Sequence, residues 1–201
     1  MGTWTPWGMS DSQHTYAPGI IFYSTPGHGG IHLDEEHNNK MPSKLRNADG
    51  WYEEDCEWAK VALIFPEAFE PSAVLSAKET MKSWLPHEYE AVSGIKVNPG
   101  ESSALREEIW KEAHKDHLQC FSACGPCSWL NIPEGMVGVA ACKGGTNDHG
   151  HPLNPERYFL VPETEYDKRG EFSFVIEDEK KYEEVGNDFI RRTKTAQSER
   201  G

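Results

Sequence analysis

The chain reads GIIFYSTPGHGGIHL over residues 19–33 and GWYEEDCEWA over residues 50–59. The apolar residues at the start of the first stretch predict a β-strand over residues 19–24, followed by a loop with three glycines and two histidines. The second stretch predicts a helix with carboxylates in its first turns that ends before Pro66. Glycine lets the backbone approach another group closely, and histidine is a base, an acid or a ligand near neutral pH. We therefore expect a functional site where this loop meets the carboxylate-bearing helix.

Clustered helices with strands at both ends predict an α+β fold. The helical patterns cover residues 51–65, 71–84, 87–92, 103–118 and 178–185, and the strand patterns cover residues 19–24, 136–141, 157–161 and 171–176. We expect a single compact domain over residues 1–186, with a central helical region and a small antiparallel or mixed sheet. Residues 187–201 are polar and locally basic, and we expect them to form a flexible tail.

The composition excludes several classes of protein. Thirty-three acidic and 20 basic residues give a net charge of −13, which repels phosphate backbones, so we expect no direct nucleic-acid binding over the main body. The negative charge either serves solubility or engages a partner protein with a basic surface. No apolar run approaches the roughly 20 residues that span a bilayer, and none resembles an export signal. Together with an odd number of cysteines, five, these features predict a cytoplasmic protein with reduced thiols.

Asp55 is the first candidate for chemistry. On a helix over residues 51–65 it lies in the middle of the apolar face, where an unpaired carboxylate costs roughly several kcal/mol. His28 or His32 would then be its partner, in a carboxylate–imidazole pair suited to general acid–base chemistry. A structural partner, such as an arginine, a tryptophan N–H or a backbone amide, is the alternative. The candidate catalytic residues are His28, His32, Glu54 and Asp55.

The histidine-rich loop is also a candidate metal site. His28 and His32 are four residues apart, but the double glycine between them disfavours a helix, and no glutamate completes the His-Glu-x-x-His pattern of zinc proteases. A metal site in the loop takes Glu53, Glu54 or Asp55 as a further ligand. A packed, hydrogen-bonded loop without metal is the alternative.

A second candidate metal site follows the central helices. Its pattern is His117-x2-Cys120-x3-Cys124-x2-Cys127, followed by Cys142. Structural zinc takes four ligands in tetrahedral geometry, and this irregular spacing is a partial version of the zinc pattern. The predicted zinc ligands are Cys120, Cys124, Cys127 and Cys142, with His117, His149 and His151 as alternates. Ordinary buried thiols are the alternative.

Four phrases carry a resemblance to a known family. They are TPWG at residues 5–8, YSTPGHGGIHL at residues 23–33, GWYEED at residues 50–55 and PEGMVGV at residues 133–139. Together with RYFLVP at residues 157–162 and FSFVI at residues 172–176, they resemble an uncharacterised family of small proteins from phages, conjugative plasmids and their bacterial hosts, described as a domain of unknown function. The resemblance spans roughly residues 4–178. The resemblance implies a mobile-element protein in the cytoplasm of a bacterial host cell, where proteins of this size often counter host defence or adjust host machinery. It assigns no activity to any residue.

These observations lead to three hypotheses. The first is a phage or mobile-element accessory protein that binds and modulates a host protein, such as a defence or nucleic-acid-handling factor, through an acidic surface that includes Glu107, Glu108 and Glu112. The second is a small hydrolase or transferase that uses the candidate catalytic residues named above. The third is a zinc-stabilised structural or assembly protein. Neither the phosphate loop of nucleoside triphosphatases nor a dinucleotide-binding fingerprint occurs in the sequence, so we expect neither of those two chemistries.

Overall fold

The computed structural model describes residues 2–126, 131–147 and 149–186. These residues contain six α-helices and three antiparallel sheets, which confirms the predicted α+β class. No helix among them is both long and apolar enough to cross a membrane. The chain divides into two compact units, residues 1–106 and residues 107–201. The single domain predicted over residues 1–186 stays a prediction, and the predicted tail, residues 187–201, lies outside the described residues.

The first unit begins with a short hairpin and continues into a four-stranded antiparallel sheet. The hairpin pairs β1 (Trp4–Thr5) with β2 (Gly8–Met9). The sheet strands, in both spatial and sequence order, are β3 (Ser12–Ala17), β4 (Ile20–Ser24), β5 (Gly29–Leu33) and β6 (Trp51–Glu53). The helices of this unit are α1 (Glu35–Lys40), α2 (Trp58–Ile64), α3 (Pro71–Trp84) and α4 (Pro86–Ser93). A further helix, α5 (Ser103–Ala113), continues from the first unit into the second.

The sheet and the helices of the first unit share one apolar core. Ile31 and Leu33 of β5 are buried there with Tyr52 of β6, and they join a cluster that includes Val61 of α2 and Met81 of α3. The apolar residues of β5 alternate because successive side chains of a strand point to opposite faces. Full burial of a large apolar side chain contributes about 1.5–3 kcal/mol, so this cluster fixes the positions of β5 and β6.

The opposite face of the sheet carries polar and aromatic residues. His32 pairs with Trp51, and Gly30 pairs with Glu53, across β5 and β6. Directly paired residues of an antiparallel sheet share a face, so Trp51 and Glu53 lie on the same outer face as His32.

Two sequence predictions in this region are wrong. Residues 29–33 are a strand rather than a loop, since they pair with β4 on one side and with β6 on the other. The helix predicted from Trp51 begins only at Trp58, because residues 51–53 pair with β5, a partner twenty residues earlier that local periodicity does not reveal. Asp55 consequently lies exposed in the turn before α2 and not on a buried helix face.

The second unit is built on a five-stranded antiparallel sheet. Its strands are β7 (Leu118–Cys124), β8 (Met136–Lys143), β9 (Arg157–Pro162), β10 (Val175–Ile176) and β11 (Glu183–Val185). Their spatial order is β10-β7-β8-β9-β11, and the helix α6 (Glu163–Tyr166) directly follows β9. Val139, Phe159 and Val161 are fully buried in the core of this unit.

Sequence predictions for the second unit are confirmed in its middle strands and wrong at its edges. The strands predicted over residues 136–141 and 157–161 are present as β8 and β9. The helix predicted to residue 118 ends at Ala113, and β7 follows it. The helix predicted over residues 178–185 is instead a short 3-10 turn followed by β11. Both missed strands obtain their hydrogen bonds from β8 or β9, so they depend on partners that are distant in sequence.

Candidate functional site

The turn between β4 and β5 holds His28 in a fixed position. The backbone N–H and the hydroxyl of Thr25 both donate hydrogen bonds to the carbonyl oxygen of His28, at 2.8 and 2.7 Å. The backbone N–H of His28 donates in return to Thr25 Oγ1 at 3.1 Å. Three hydrogen bonds therefore fix a backbone from which the imidazole, 58% exposed, extends into solvent.

Gly29 leaves the space that the Glu54 carboxylate occupies. A Cβ atom at Gly29 would lie only 2.6 Å from Glu54 Oε2 and 2.7 Å from Cζ of Phe22. The backbone N–H of Glu54 donates to the Gly29 carbonyl at 3.0 Å, which extends the pairing of β5 and β6 by one residue. The glycine is therefore required by a close approach and not by an unusual backbone conformation.

Glu53 presents one hydrogen-bonded oxygen and one buried oxygen without a partner. Its Oε2 accepts the backbone N–H of Asp55 at 2.8 Å. Its Oε1 is buried, has no hydrogen-bond donor among the described residues and lies 3.8 Å from Nδ1 of His28. Buried polar atoms in proteins are normally hydrogen-bonded, so this oxygen is an exception that calls for an explanation.

His28, Glu53 and Glu54 together form a group of potential metal ligands. One imidazole nitrogen and one oxygen from each carboxylate all lie within 4.8 Å of one another. Across the described residues, no other group of three or more His, Cys, Asp or Glu side chains meets this criterion. A mixed set of imidazole and carboxylate ligands suits zinc and other divalent transition metals. The geometry thus brings together residues that can hold such an ion.

A buried hydrogen-bond network holds the turn after β6. Oε1 of Glu57 accepts from Nζ of Lys60 at 2.6 Å, and the Lys60 side chain is only 8% exposed. Oε2 of Glu57 accepts from Nδ2 of Asn47 at 2.8 Å and from the backbone N–H of Glu53 at 3.4 Å. This network fixes the backbone at the position from which Glu53 and Glu54 extend. The sequence gives no signal for the role of Asn47 and Glu57, because only the fold brings these two side chains together.

His32 belongs to an aromatic cluster beside the ligand group. The rings of Trp7, Tyr23 and His32 all contact Trp51, with centroid distances of 5.8, 5.5 and 4.6 Å. A Cβ atom at Gly30 would lie 2.3 Å from the Trp7 ring, so this glycine lets Trp7 lie directly on the sheet. Burial lowers the pKa of His32 below its ordinary value. The cluster therefore keeps His32 neutral over more of the physiological pH range.

The structure brings together only part of the predicted catalytic set. Ligand atoms of His28 and Glu54, two of the four predicted residues, lie within 4.8 Å of each other. His32 and Asp55 are outside this group. Glu53, which the sequence offered only as one of several optional ligands, carries the unpartnered buried oxygen. Its importance arises from the pairing of β6 with β5, which no sequence signal revealed.

The predicted zinc ligands of the second unit occupy separate positions. Cys142 is buried, and its thiol donates to the Gly145 carbonyl at 2.8 Å. The Cys120 thiol donates to the Ser122 carbonyl at 3.3 Å, and burial raises the pKa of this thiol to about 11, which keeps it protonated. Cys127 lies outside the described residues, so the zinc site stays a prediction.

The alternate ligands of that predicted site differ in their surroundings. His149 and His151 are exposed, and both donate a backbone N–H to Asn147 Oδ1 at 3.0 Å. Nδ1 of His117 is buried without a hydrogen-bond partner among the described residues. Cys124 lies on β7, opposite Gly138 of β8.

The three glutamates predicted to bind a partner lie on α5. Glu107 forms an ion pair with Lys111 at 2.9 Å, and Glu112 forms one with Lys115. Glu108 is exposed. Lysines of the same segment therefore compensate part of the negative charge, although ion pairs between exposed groups contribute little to stability.

Comparison with known proteins identifies one family. Residues 1–115 match a family model described as Domain of unknown function (DUF7007). Neither the curated proteins nor the solved structures contain a match to the chain. The matched region contains all three members of the ligand group, whereas the predicted zinc ligands lie beyond it.

Proposed function

This chain belongs to the family described as Domain of unknown function (DUF7007), and we propose that its matched region binds one divalent transition-metal ion through His28, Glu53 and Glu54. The observation that carries this proposal is the buried Oε1 of Glu53, which has no donor among the described residues and faces the imidazole of His28. A bound cation would compensate this oxygen and the neighbouring Glu54 carboxylate together. The match over residues 1–115 is consistent with the resemblance to an uncharacterised family, and an origin in phages or plasmids stays a prediction.

A metal ion explains the geometry better than an ion pair with His28 does. The distance of 3.8 Å between His28 Nδ1 and Glu53 Oε1 is too long for a hydrogen bond. Lys60, a buried cation at the start of α2, is already paired with Glu57. Two adjacent carboxylates without a cation repel each other, and an ion that accepts both removes this cost.

The exposure of the group allows the ion to contact a substrate. Three protein ligands leave at least one coordination position open, which is the arrangement of catalytic rather than structural sites. A divalent ion in such a position lowers the pKa of bound water and polarises carbonyl or phosphoryl oxygens, so hydrolysis is the reaction class that we propose. Of the four predicted catalytic residues, His28 and Glu54 act as metal ligands together with Glu53. His32 packs against Trp51, and Asp55 donates its backbone N–H to Glu53.

Titration calorimetry with Zn²⁺ and Mn²⁺ tests the metal site. We expect one ion to bind per chain, and we expect Glu53→Gln and His28→Ala to abolish binding. Substitution of a residue that hydrogen-bonds to a metal ligand already lowers metal affinity about 10- to 100-fold. Loss of a ligand itself should lower the affinity further. Asp55→Asn and His14→Ala are matched controls, because they remove an exposed carboxylate and an exposed imidazole outside the group. Equal affinity of native protein and Glu53→Gln would refute the site.

Hydrolysis requires a separate measurement. The zinc- and manganese-loaded protein is assayed against a nitrophenyl acetate and a nitrophenyl phosphate, with Glu54→Gln as the variant and Asp55→Asn as the control. Activity that depends on the metal and is lost only in Glu54→Gln supports a hydrolase. Stoichiometric metal binding without activity on either ester contradicts the hydrolytic step and leaves a metal-binding module.

Binding of a host protein is the second function that we propose. The net charge of −13 favours a partner with a basic surface, and Glu107, Glu108 and Glu112 are the residues proposed to contact it. The test is charge reversal of all three glutamates, followed by affinity capture from a bacterial lysate. Reversal of the exposed Glu67 and Glu101 serves as the control. An unchanged set of captured proteins would exclude this face of α5.

A further inference from the structure

The second unit contains a surface cleft that none of the sites above uses. Its volume is about 470 Å³, and its lining combines Trp110 of α5 and His114, which directly follows α5, with Lys168, Arg169 and Tyr182. Small-molecule sites usually have volumes of about 300–1,000 Å³. The cleft is therefore large enough for a ligand of the size of a small metabolite.

The cleft is positively charged, although the chain as a whole is strongly negative. Lys168, Arg169 and Lys181 line it, and Glu165 is the one carboxylate among the lining residues. The lining thus carries two excess positive charges, in a chain whose net charge is −13. A concave surface with charges of one sign concentrates the electrostatic potential, so this cleft attracts anions to a protein that otherwise repels them.

Two of the three cations have donors available for a ligand. Within the part of the chain that the structure describes, the Lys168 ammonium makes no ion pair or hydrogen bond. The Arg169 guanidinium makes only long contacts through Nη1, 3.4 Å to the Tyr166 carbonyl and 3.6 Å to Asp167 Oδ1. It also lies over the Tyr166 ring, 4.6 Å from the centroid, which orients its plane. These neighbouring cations can therefore contact the same anionic group.

The third cation is held in place by the protein. Nζ of Lys181 lies 2.6 Å from Oε2 of Glu165, and the Tyr182 hydroxyl donates to the same oxygen at 2.8 Å. These hydrogen bonds lower the pKa of Glu165, so the carboxylate is ionised at neutral pH. The arrangement fixes Tyr182 at the side of the cleft and leaves the anion to Lys168 and Arg169.

Aromatic side chains provide the rest of the lining. Trp110, Phe174 and Tyr182 all border the cleft, and the last two contact each other with a centroid distance of 5.9 Å. Nδ1 of His114 lies 2.8 Å from the Trp110 carbonyl, which can only accept, so Nδ1 carries the proton and Nε2 of the neutral ring is an acceptor. Such a lining suits a planar ring with its own hydrogen-bond donors.

We propose that this cleft binds mononucleotides, in which a ribose joins a phosphate monoester to a planar base. Lys168 and Arg169 contact the phosphate, since charged donors make the strongest hydrogen bonds to phosphate oxygens. Trp110 and Tyr182 contact the ring. Side-chain cations here take the part that backbone N–H groups take in a phosphate loop.

Titration calorimetry with adenosine monophosphate, adenosine and inorganic phosphate tests this proposal. All titrations contain a chelator, which keeps the ligand from binding through a metal ion at His28. We expect adenosine monophosphate to bind more tightly than either of its parts. Lys168→Ala and Arg169→Ala should each raise its Kd roughly 10- to 100-fold, the loss of one charge-assisted hydrogen bond. Trp110→Leu should weaken binding of the nucleotide without changing that of phosphate.

Two controls separate the cleft from a general effect of charge. Lys180→Ala removes an exposed lysine that does not line the cleft, and it should leave the Kd unchanged. His28→Ala should also leave it unchanged, because the proposal does not depend on the metal site. The proposal is overturned if adenosine binds as tightly as its monophosphate, if Lys180→Ala weakens binding as much as Lys168→Ala, or if O-phosphotyrosine binds in place of the nucleotide.

Discussion

Oε1 of Glu53 lies 3.8 Å from Nδ1 of His28, buried and without a hydrogen-bond donor among the described residues. The other oxygen of the same carboxylate accepts the backbone N–H of Asp55. One oxygen thus holds the side chain in position while the other remains available. Because Glu54 brings a second carboxylate within ligand distance of both residues, the group has an excess of negative charge that a bound cation would balance.

Glu53→Gln should be at least as stable as the native protein without metal and less stable than the native protein when zinc is bound. In a chelator, the neutral amide can still accept the Asp55 N–H and can donate to a neighbouring oxygen, so the free energy of unfolding should be unchanged or higher by about 1 kcal/mol. Zinc at 100 times its Kd should stabilise the native protein by about 2.7 kcal/mol and leave the variant unchanged. Urea denaturation with and without zinc measures both effects. Asp55→Asn should respond to zinc like the native protein, and a clear loss of stability of Glu53→Gln in chelator would contradict this account.

Gly29→Ala should damage both the fold and the ligand group. The added Cβ would lie 2.6 Å from Glu54 Oε2 and 2.7 Å from Phe22 Cζ, so one of these groups must move. Overpacking of this kind costs about 1–3 kcal/mol, and displacement of Glu54 should also weaken zinc binding. Gly27→Ala is the matched control, because nothing lies within 4 Å of a Cβ at that position. Equal stabilities of the two variants in urea denaturation would show that Gly29 is not needed for close approach.

The sequence predicts some elements of the first unit correctly and others wrongly. Helix α3 follows from a local pattern that begins at Pro71 and ends before Pro86, and the structure has it at the predicted bounds. Trp51 begins a segment with a helical period, yet its pairing with His32 makes it a strand. Local periodicity cannot reveal such a partner. The prediction that Asp55 lies on the apolar face of a helix was wrong for the same reason.

The ligand group shows the same limit. Glycine, histidine and carboxylates in two short stretches predicted that His28 or His32 pairs with Asp55 or Glu54, and in the structure ligand atoms of His28 and Glu54 lie within 4.8 Å of each other. The sequence could not distinguish Glu53 from Asp55, because the pairing of Glu53 with Gly30 decides which carboxylate joins the ligand group. The cleft at Lys168 and Arg169 had no sequence signal, since four separate segments of the second unit form it.

Glu57→Gln should destabilise the first unit strongly, because it leaves the buried Lys60 ammonium without its ion-pair partner. Breaking a fully buried pair by removing one partner costs about 3–5 kcal/mol, which is an upper bound here because the Glu57 side chain is 30% exposed. Replacing both partners of a buried pair is often nearly neutral. The double variant Glu57→Gln/Lys60→Met should therefore recover most of the loss. The exposed pair Glu36 and Lys40 is the control, and Glu36→Gln there should cost little, because ion pairs between exposed groups contribute little to stability. Urea denaturation of the native protein and the three variants measures these costs, and equal costs at the two sites would show that burial of Lys60 does not matter.

His32 should make the first unit less stable as the pH falls through the ordinary pKa of histidine. Burial against Trp51 lowers the pKa of His32 in the folded state, and the carboxylates of Asp34 and Asp49 only partly oppose this effect. Between the folded and unfolded pKa values, the unfolded state therefore binds more protons, so the free energy of unfolding decreases as the pH decreases and levels off below the folded pKa. His32→Phe keeps a ring against Trp51 and removes the titration, and it should flatten this part of the stability curve. His14→Gln, which removes an exposed histidine of β3, should leave the curve unchanged. A curve of the same slope in native protein and His32→Phe would mean that the loss of stability comes from other groups.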